Sequence, residues 1–436
     1  MLSYQPVLER YTLLQQRLQD SSEFFQRQGL PDLKAIFSRC MLNTLETTVE
    51  LLEDGTTFVV TGDIPAMWLR DSTAQVKPYL TVAADDKDVQ RLVRGLLQRQ
   101  VRYILHDPYA NAFNREPGRS GFSHDHTEMT PLLWERKYEL DSLCYPLYLL
   151  HEYVVRTRDT TIFDETIHQM LQCVIDVMCT EQQHDLQSPY YFERDNGVAS
   201  DTLPFQGRGT RCNFTGMVWS GFRPSDDACK FGYLVPANMF AVVVLRYVAE
   251  YARSIYQDEE LALRALRLRE EINFGIQTYA IVQHPVYGSI YAYETDGYGN
   301  YNLMDDANVP SLLSLPYLGY CAADDPIYLN TRRFILSAAN PYYFSGTRAR
   351  GIGSPHTPHG YIWPIALSMQ GLTATDEREV LELVQMLVDT TAGTGYMHES
   401  FHPDEPERYT RSWFAWANSL FGEFIYHWIT RNTSPS

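Results

Sequence analysis

The stretch GYMHESFHPDEPERYTRSWFAWANS, residues 395–419, joins a polar loop to the start of a helix. Gly395, Pro403 and Pro406 disfavour a helix interior, so the first half of the stretch is predicted to be a loop. From residue 412 onward, apolar residues recur at helical spacing and predict a helix over 412–430. The loop mixes acids, histidines and arginine with aromatic residues. A loop of this composition that leads into a helix is the unit that decides the fold.

This unit recurs along the chain. Similar loops read TGDIPAMWLRDS (61–72), FSHDHTEM (122–129), WSGFRPSDDA (219–228), YNLMDDANVPS (301–311) and GIGSPHTPHGYIWP (351–364). Helical periodicity predicts the other helices over 5–28, 31–55, 71–83, 88–105, 139–157, 161–182, 236–256, 258–282, 308–320, 327–338, 360–371 and 376–392. A toroid of helices, as in an α/α barrel, would bring these loops together at one end around a polar pocket with aromatic walls.

Strands are predicted only locally. The segments TFVV (57–60) and VYGSIYAYE (286–294) alternate apolar and polar residues, which is typical of short hairpin strands. The fold class is therefore all-α, with a few short β-hairpins in the loops. No linker or block of like charges divides the chain, so residues 1–436 are predicted to form a single domain.

Composition limits the partners and the compartment. The formal net charge of −18 would repel phosphate backbones and anionic lipids, which argues against nucleic-acid and membrane partners. The seven cysteines are scattered and form no C-x-x-C pair, a pattern typical of a reducing compartment. The N-terminus has no signal-peptide pattern, and the longest apolar stretch is shorter than the roughly 20 residues of a membrane span. We therefore expect a cytoplasmic protein.

His398-Glu399-Ser400-Phe401-His402 matches the H-E-x-x-H signature of zinc proteases. That motif binds zinc only on a helix, where histidines at i and i+4 share one face. The flanking glycines and prolines leave at most about two helical turns here. Another role for Glu399 is therefore favoured over zinc binding.

A pocket lined by acids and aromatic side chains, without phosphate-binding glycines, suggests glycoside hydrolysis. This reaction needs two carboxyl groups on either side of the scissile bond. The candidates are Asp63, Asp71, Asp125, Glu128, Asp141, Asp226, Asp227, Asp305, Asp306 and Glu399. Asp71, Asp227 and Asp306 also fit helix N-caps, a position that lowers a carboxyl pKa. The pairs Asp226-Asp227 and Asp305-Asp306 could each hold one raised pKa through mutual repulsion. Composition alone does not choose among them.

Other kinds of site have weaker signals. His124-Asp125-His126 could bind a metal, but spacing specifies no third ligand, so hydrogen bonding to substrate or protein is favoured. There is no nucleophile elbow, Walker A motif or dinucleotide fingerprint, and no cofactor is expected. The glycine-rich segment GTRARGIGSPH (346–356) follows no predicted strand and is expected to be a loop near the pocket.

Four segments together resemble a known family. They are GDIPAMWLRDSTAQVKPYL, WSGFRPSDDACKFGYLVPANMFA, GYIWPIALSMQ and GTGYMHESFHPDEPERYTRSWFAWANSLFGEFI. The chain resembles glycoside hydrolase family 125, the exo-acting α-1,6-mannosidases, from about residue 25 to 430. The resemblance implies an (α/α)6 barrel, release of terminal α-1,6-linked mannose, inversion at the anomeric carbon and no metal. The expected partner is a mannose-containing oligosaccharide, and the expected state is a monomer.

The resemblance also implies roles for individual residues. Glu399 matches the general base, and Asp226 matches the general acid. Asp227 remains the alternative acid, because adjacent acids are easily misaligned. Trp68, Arg70 and Asp71 resemble the segment that lines the terminal-sugar subsite. Further candidates for substrate binding are Glu128, Asn238, Asp306, His359 and Trp363.

Two alternative functions remain open from the sequence. One is an inverting hydrolase of α-glucosides on the same fold. The other is a catalytically silent glycan-binding protein, against which the presence of both Glu399 and the Asp226-Asp227 pair argues.

Overall fold

Helices account for about half of the computed structural model, which describes residues 10–118 and 121–433. Short 3-10 turns cover Lys77–Thr81, Thr160–Ile162 and Ala199–Asp201. The α-helices are α1 (Thr12–Arg27), α2 (Leu33–Thr47), α3 (Leu69–Val76), α4 (Lys87–His106), α5 (Leu140–Thr157), α6 (Glu165–Glu181), α7 (His184–Gln187), α8 (Val235–Ser254), α9 (Glu259–Tyr279), α10 (Leu315–Leu318), α11 (Pro326–Ile335), α12 (Pro364–Leu372), α13 (Glu377–Asp389) and α14 (Ala415–Thr433).

The main helices form two concentric rings. Within the described residues, the inner ring consists of α3, α5, α8, α10, α12 and α14, and neighbours along most of it pack directly on one another. Each of the first five inner helices is followed in the chain by an outer one: α4, α6, α9, α11 and α13. The sixth outer helix is α2, which packs on α14 and so joins the start of the chain to its end. The predicted (α/α)6 barrel is confirmed.

The two rings differ in how far their helices are buried. All residues of α3 are buried, and α8 is buried over most of its length. The outer helix α4 is amphipathic instead, with a core face that includes Val89, Leu92, Val93 and Leu96. A helix that is buried all round belongs inside a structure, whereas an amphipathic helix covers it. The sequence of each helix thus matches its place in the barrel.

Polar contacts join the last inner helix to the first outer one. Asn418 Nδ2 donates to Asn43 Oδ1 at 3.2 Å, and the hydroxyls of Thr44 and Ser419 lie 2.9 Å apart. All four residues are buried. Because buried polar groups need partners, these pairs favour one register between α2 and α14.

Short antiparallel strands lie in the loops between the helices. They are β1 (Val49–Leu51), β2 (Thr57–Val59), β3 (Met67–Trp68), β4 (Ala112–Phe113), β5 (Leu133–Glu135), β6 (Tyr233–Leu234), β7 (Ile281–His284), β8 (Gly288–Tyr291), β9 (Glu294–Thr295), β10 (Tyr301–Asn302), β11 (Tyr343–Ser345), β12 (Arg350–Ile352), β13 (Ser400–Phe401) and β14 (Tyr409–Thr410). They pair as β1-β2, β3-β4-β5, β6-β9-β10, β7-β8, β11-β12 and β13-β14. The strands predicted at 57–60 and 286–294 are confirmed as β2 and β8. Since β3 runs directly into α3 and β6 into α8, these strands fix where two inner helices begin.

Several predicted helix boundaries were wrong. The helix predicted over 31–55 ends at Thr47, because Asp54 accepts the backbone N–H of Thr56 and turns the chain into the β1-β2 hairpin. The helix predicted over 308–320 shrinks to Leu315–Leu318, because Asp305 instead accepts the N–H groups of residues 312 and 313. Residues 5–9 of the first predicted helix lie outside the described residues.

All seven cysteines carry free thiols. Across residues 10–118 and 121–433, no helix combines the length and the apolar character that crossing a membrane requires.

Gly371 in α12 provides a test of the packing between inner helices. A Cβ at this position would lie 2.3 Å from the ring of Phe424, whereas a Cβ at Gly422 in α14 would meet the flexible Sδ of Met41 at 2.8 Å. Alanine favours an isolated helix over glycine by about 0.8–1.0 kcal/mol. We nevertheless expect Gly371→Ala to lower the free energy of unfolding by about 1–3 kcal/mol through overpacking. Gly422→Ala is the matched control and should cost less, as measured by urea denaturation. Equal stability of both variants would contradict this account of the packing.

Candidate active site

A small cavity opens at the N-terminal ends of the inner helices, with about 360 Å³ of empty space that includes open solvent. The cavity lining comes from all but one of the loops that the sequence pattern singled out, FSHDHTEM being the exception. The lining residues are Thr61, Ile64, Trp68, Arg70, Asp71, Pro224, Ser225, Asp226, Asn308, His356, Trp363, Glu399, Arg411, Phe414 and Trp416.

Six of the residues predicted from the sequence lie on this cavity: Trp68, Arg70, Asp71, Asp226, Trp363 and Glu399. Asp227 lies just behind it, with a side chain only 5% exposed and its Oδ1 3.2 Å from His356 Nδ1. Of the two adjacent acids, Asp226 therefore faces the cavity.

Four residues predicted to contact substrate do not line the cavity. Glu128 is 69% exposed at the side chain and lies 3.6 Å from Arg136. His359 is exposed and meets Phe344 edge-on. Asn238 is buried, and its amide is fully used: it accepts from the N–H of Val218 and donates to the carbonyls of residues 218 and 234.

Asp306 is the fourth of these residues and supports the wall from behind. Its carboxylate accepts the backbone N–H and the side-chain amide of Asn308, each at 3.0 Å, and the hydroxyl of Ser354. Asn308 itself lines the cavity. Asp306 therefore positions Asn308.

The expected helix N-caps at Asp71, Asp227 and Asp306 are not observed. Asp71 lies within the first turn of α3, after Trp68 at the N-cap position, and the other two precede no helix directly.

The H-E-x-x-H motif lies in an extended segment, as its flanking residues predict. Ser400 and Phe401 form β13, which pairs with β14. The ring of His398 stacks on Tyr409 at 3.7 Å, while His402 Nδ1 accepts backbone N–H groups from residues 404 and 405. The two histidines are thus used in local packing and turn formation. Glu399 lies between them and faces the cavity.

Arg70 is the centre of a buried ion cluster. Its Nη1 lies 2.6 Å from Glu139 and 3.3 Å from Asp141, its Nη2 lies 3.2 Å from Asp226, and its Nε lies 3.5 Å from Asp71. The side chain of Arg70 is 3% exposed. Burial raises the pKa of Asp71 and of Asp141 to about 6, although the charge of Arg70 opposes this. One guanidinium therefore holds four carboxyl groups, and it braces the wall of the cavity.

The backbone at Asp226 directs its carboxyl group toward this cluster. Asp226 has φ = 65°, a left-handed conformation that aspartate tolerates better than most residues. Its N–H donates to the carbonyl of Arg223, and its own carbonyl accepts from Lys137 Nζ at 2.7 Å. Asp226 Oδ1 accepts hydrogen bonds from Trp68, Arg70 and Asn111 at 3.2–3.3 Å. The turn and these donors fix the carboxyl group at the cavity wall.

The acid pairs differ in how the structure shifts their pKa values. Burial raises the pKa of Asp305 to about 8 and also raises that of Asp306, with a smaller contribution from the neighbouring charge. Burial would also raise the pKa of Asp226, but Arg70 and a hydrogen bond from Glu139 hold it below its usual range. The raised pKa expected for the first pair is therefore not found on Asp226.

Glu399 is held from the opposite side of the cavity. Arg411 Nη1 lies 3.5 Å from Glu399 Oε1, while Arg411 Nε donates to Asp63 at 2.9 Å. The side chain of Glu399 is 8% exposed. Arg411 thereby links Glu399 to the loop that precedes β3.

His356 is the main cavity residue that sequence reasoning did not single out. Desolvation opposes its charged form, but the hydrogen bond to Asp227 and the charges of Asp227, Glu399 and Asp226 raise its pKa to about 9. It is therefore a cation at neutral pH among the acids of the site. The only signal in the sequence was its position at the end of a glycine-rich loop that was expected near the pocket.

Other residues of the site were also missed. Arg411, Phe414 and Trp416 lie in the stretch 395–419, but only the fold shows that they face the cavity. Asn111 and Glu139 lie outside every segment that the motifs covered, and they left no signal in the sequence pattern.

The carboxyl groups around Arg70 predict that the contribution of Arg70 to the free energy of unfolding depends on pH. Arg70→Ala leaves them buried without their cation, and we expect a loss of about 3–5 kcal/mol in the free energy of unfolding at pH 8. The pKa values of Asp71 and Asp141 are raised to about 6 in the folded protein, so at pH 4 both are protonated there and no longer need the charge of Arg70. The loss should therefore shrink between pH 8 and pH 4, as measured by urea denaturation at both values. A loss that does not depend on pH would argue against this cluster.

A family model for metal-independent alpha-mannosidases, GH125, matches residues 30–426 of the chain. The Meiotically up-regulated gene 157 protein of Schizosaccharomyces pombe is 40% identical over 96% of this chain and 86% of its own length. An alpha-mannosidase from Streptococcus pneumoniae, solved in a non-productive complex with alpha-1,6-mannobiose, is 48% identical. It superposes with a TM-score of 0.93, over 96% of this chain and 98% of its own.

A more distant structure shares the fold alone. A bacterial glucoamylase in complex with acarbose is 13% identical and superposes with a TM-score of 0.57, over 90% of this chain and 55% of its own. The family match over nearly the whole chain agrees with the motifs at Trp68, Asp226 and Glu399. The protein belongs to glycoside hydrolase family 125, and it is a metal-independent alpha-mannosidase.

Proposed function

We propose that the protein is an exo-acting, inverting α-mannosidase that releases terminal α-1,6-linked mannose from oligosaccharides. The observation on which this rests is that Asp226 and Glu399 both line one small cavity. A small cavity suits the end of a glycan better than an internal segment of one, which supports exo action. The α-1,6 linkage is supported by the mannobiose bound to the Streptococcus pneumoniae relative.

Glu399 is the proposed general base. It activates the water that attacks the anomeric carbon, and Arg411 holds its carboxylate in place. Asp226 is the proposed general acid, which protonates the leaving oxygen. Asp227 is the weaker candidate because its Oδ1 is engaged by His356 and its side chain is almost fully buried.

Four of the predicted cavity residues are proposed to hold the terminal sugar. Trp68 and Trp363 provide flat apolar faces that suit the C–H surface of a sugar ring. Arg70 and Asp71 provide a donor and an acceptor for its hydroxyls. The ion pairs of Arg70 mean that it also braces Asp226, so its two roles are not exclusive.

We also propose that residues 1–436 act as one monomeric catalytic domain in the cytoplasm. Seven free thiols fit a reducing compartment. The net charge of −18 disfavours nucleic-acid and membrane partners. Analytical ultracentrifugation of the active protein tests the monomer, and a sedimenting dimer would contradict it.

Linkage preference tests the proposed substrate. The protein should release mannose from α-1,6-mannobiose, and far more slowly from the α-1,2- and α-1,3-linked isomers, in buffer that contains EDTA. Mannose release is measured by chromatography, with α-1,6-linked glucosides as a matched control for the sugar. Faster cleavage of another linkage or of the glucoside would overturn the proposed specificity, and binding without turnover would indicate a silent glycan-binding protein.

Stereochemistry tests the proposed mechanism. An inverting pair needs room for a water molecule between the base and the sugar, with carboxyl groups about 6.5–9.5 Å apart. NMR of the first product should therefore show β-mannose, which then mutarotates to the α form. If α-mannose forms first, the enzyme is a retaining one and Glu399 is not a base that activates water.

Leaving groups separate the roles of the two acids. A sugar hydroxyl needs a proton in order to leave, whereas dinitrophenolate does not. Asp226→Asn should therefore lose about 10²–10⁴-fold in kcat/KM on α-1,6-mannobiose, yet keep much of its rate on dinitrophenyl α-mannoside. Glu399→Gln should fail on both substrates, because both need an activated water.

Asp227→Asn is the matched control for the assignment of the acid. It should show no preference for the activated substrate. If Asp227→Asn shows the leaving-group rescue and Asp226→Asn does not, the acid is Asp227. If neither shows rescue, the acid lies elsewhere, and Asp305 and Asp306 are the next residues to test.

A further inference from the structure

Glu139 is a buried carboxyl group that lies beside Asp226, behind the cavity wall. It immediately precedes α5, its side chain is fully buried, and it does not line the cavity. Arg70 binds both acids: its Nη1 lies 2.6 Å from Glu139 Oε2, and its Nη2 lies 3.2 Å from Asp226 Oδ1. Asn111 Nδ2 lies 3.4 Å from Glu139 Oε1 and 3.3 Å from Asp226 Oδ1. Two shared donors thus hold the two carboxyl groups close to one another.

The balance of charge around this pair favours a bound proton. Arg70 contacts three buried carboxyl groups and Asp226, whose side chain is 25% exposed, and like charges this close do not all ionise readily. A hydrogen bond between two carboxyl groups also needs a proton on one of them. The charged groups that face the pair from the surrounding elements are Arg70 and Asp71 on α3, Glu135 and Lys137 at the end of β5, Asp141 on α5, and Asp227 and His356 in the loops.

The resting position of the proton follows from the surroundings of each acid. Burial and the charges of Asp226 and Asp141 raise the pKa of Glu139 well above its usual range, against the effect of Arg70. Arg70, Glu139 and Lys137 hold the pKa of Asp226 low, against the effect of burial. Of the two acids, Glu139 is therefore the one that favours the protonated form. A general acid that works at neutral pH needs that proton at the moment of bond cleavage.

We propose that Glu139 and Asp226 share one proton, which Glu139 stores and Asp226 delivers to the leaving oxygen. This inference rests on the proposed function, in which Asp226 is the general acid. Glu139 does not line the cavity, so it is a positioning residue: it passes the proton to Asp226 and does not contact the substrate. This role differs from that of Asp141, which also contacts Arg70 but shares no proton with Asp226.

The proton balance of the step is complete. The proton passes from Glu139 to Asp226 and then to the glycosidic oxygen, which keeps the electron pair of the breaking bond to the anomeric carbon. Water forms the new bond to that carbon and loses its proton to Glu399. The enzyme is left with both members of the pair ionised around Arg70 and with Glu399 protonated. Transfer of that proton through solvent restores the pair.

The pH dependence of kcat/KM on α-1,6-mannobiose tests the shared proton. The alkaline limb of this profile reports the essential acid of the free enzyme. In Glu139→Gln the pair no longer stores a proton, and Asp226 remains beside Arg70 and Lys137. We expect the alkaline limb to move to lower pH by about one unit or more, which is a tenfold loss of the acid form above it. On dinitrophenyl α-mannoside the same variant should keep most of its rate, because that leaving group needs no proton.

Asp141→Asn is the matched control, since it removes another carboxyl group from the same guanidinium. It should lower kcat/KM without moving the alkaline limb and without a preference for the activated substrate. If Glu139→Gln behaves like Asp141→Asn in both respects, Glu139 is only a brace and the inference fails while the proposed function stands. If Asp226→Asn itself shows no leaving-group rescue, the proposed function fails instead.

A measurement on the unaltered enzyme applies even if the variant does not fold. In ¹³C NMR of protein labelled at the glutamate and aspartate carboxyl carbons, one glutamate should stay protonated well above its usual pKa. Its titration should coincide with that of an aspartate, because the two share the proton. Glutamate carboxyl groups that all titrate in the usual range would overturn the inference.

Discussion

The active site depends on one buried cation. Arg70 lies in the first turn of α3 and contacts four carboxyl groups from different parts of the chain. Bringing those acids together without it would bury several unpaired charges, at a cost that is a large fraction of the stability of an ordinary fold. A guanidinium suits this position because it stays charged in a buried site and offers donors in a fixed plane. The position of Asp226 follows from this contact and from the left-handed turn that directs it there.

The barrel determines which side chains lie near Arg70. Each inner helix begins near the same end of the barrel, so the loops that precede α3, α12 and α14 contribute side chains to one cavity. Short strands hold these loops against the helices: β3 leads directly into α3, and Glu399, directly before β13, lines the same cavity as Asp226. The α2–α14 contact closes the ring and joins residues that are 375 positions apart in sequence. Glu399 and Arg411 are therefore far from the Arg70 cluster in sequence but close to it in space.

The electrostatics of the cavity are asymmetric. Arg70 and Lys137 stabilise negative charge on Asp226, while burial raises the pKa of Glu139. Glu399 instead contacts Arg411, whose second partner is the exposed Asp63. The raised pKa of His356 adds a positive charge between these groups. Two acids of the same chemical type thus have different surroundings, which is the condition under which one can donate a proton while the other accepts one.

The sequence by itself determined the helical class, most of the helices and the loops that form the cavity. Helical periodicity is a local property, and the glycines and prolines around Glu399 were enough to exclude the helix that a zinc site would need. Motifs also placed Trp68, Arg70, Asp226 and Glu399 at the site.

Only the tertiary structure decided which acid faces the cavity and what surrounds it. Asp226 and Asp227 are equivalent by composition, but the turn at Asp226 sends their side chains to different partners. Asn238 and Glu128 looked like site residues, yet one is fully hydrogen-bonded inside the core and the other is exposed outside the cavity. Glu139, Asn111 and His356 became visible only through contacts across the chain. Burial and charge pairing depend on distances in space, and no local pattern records them.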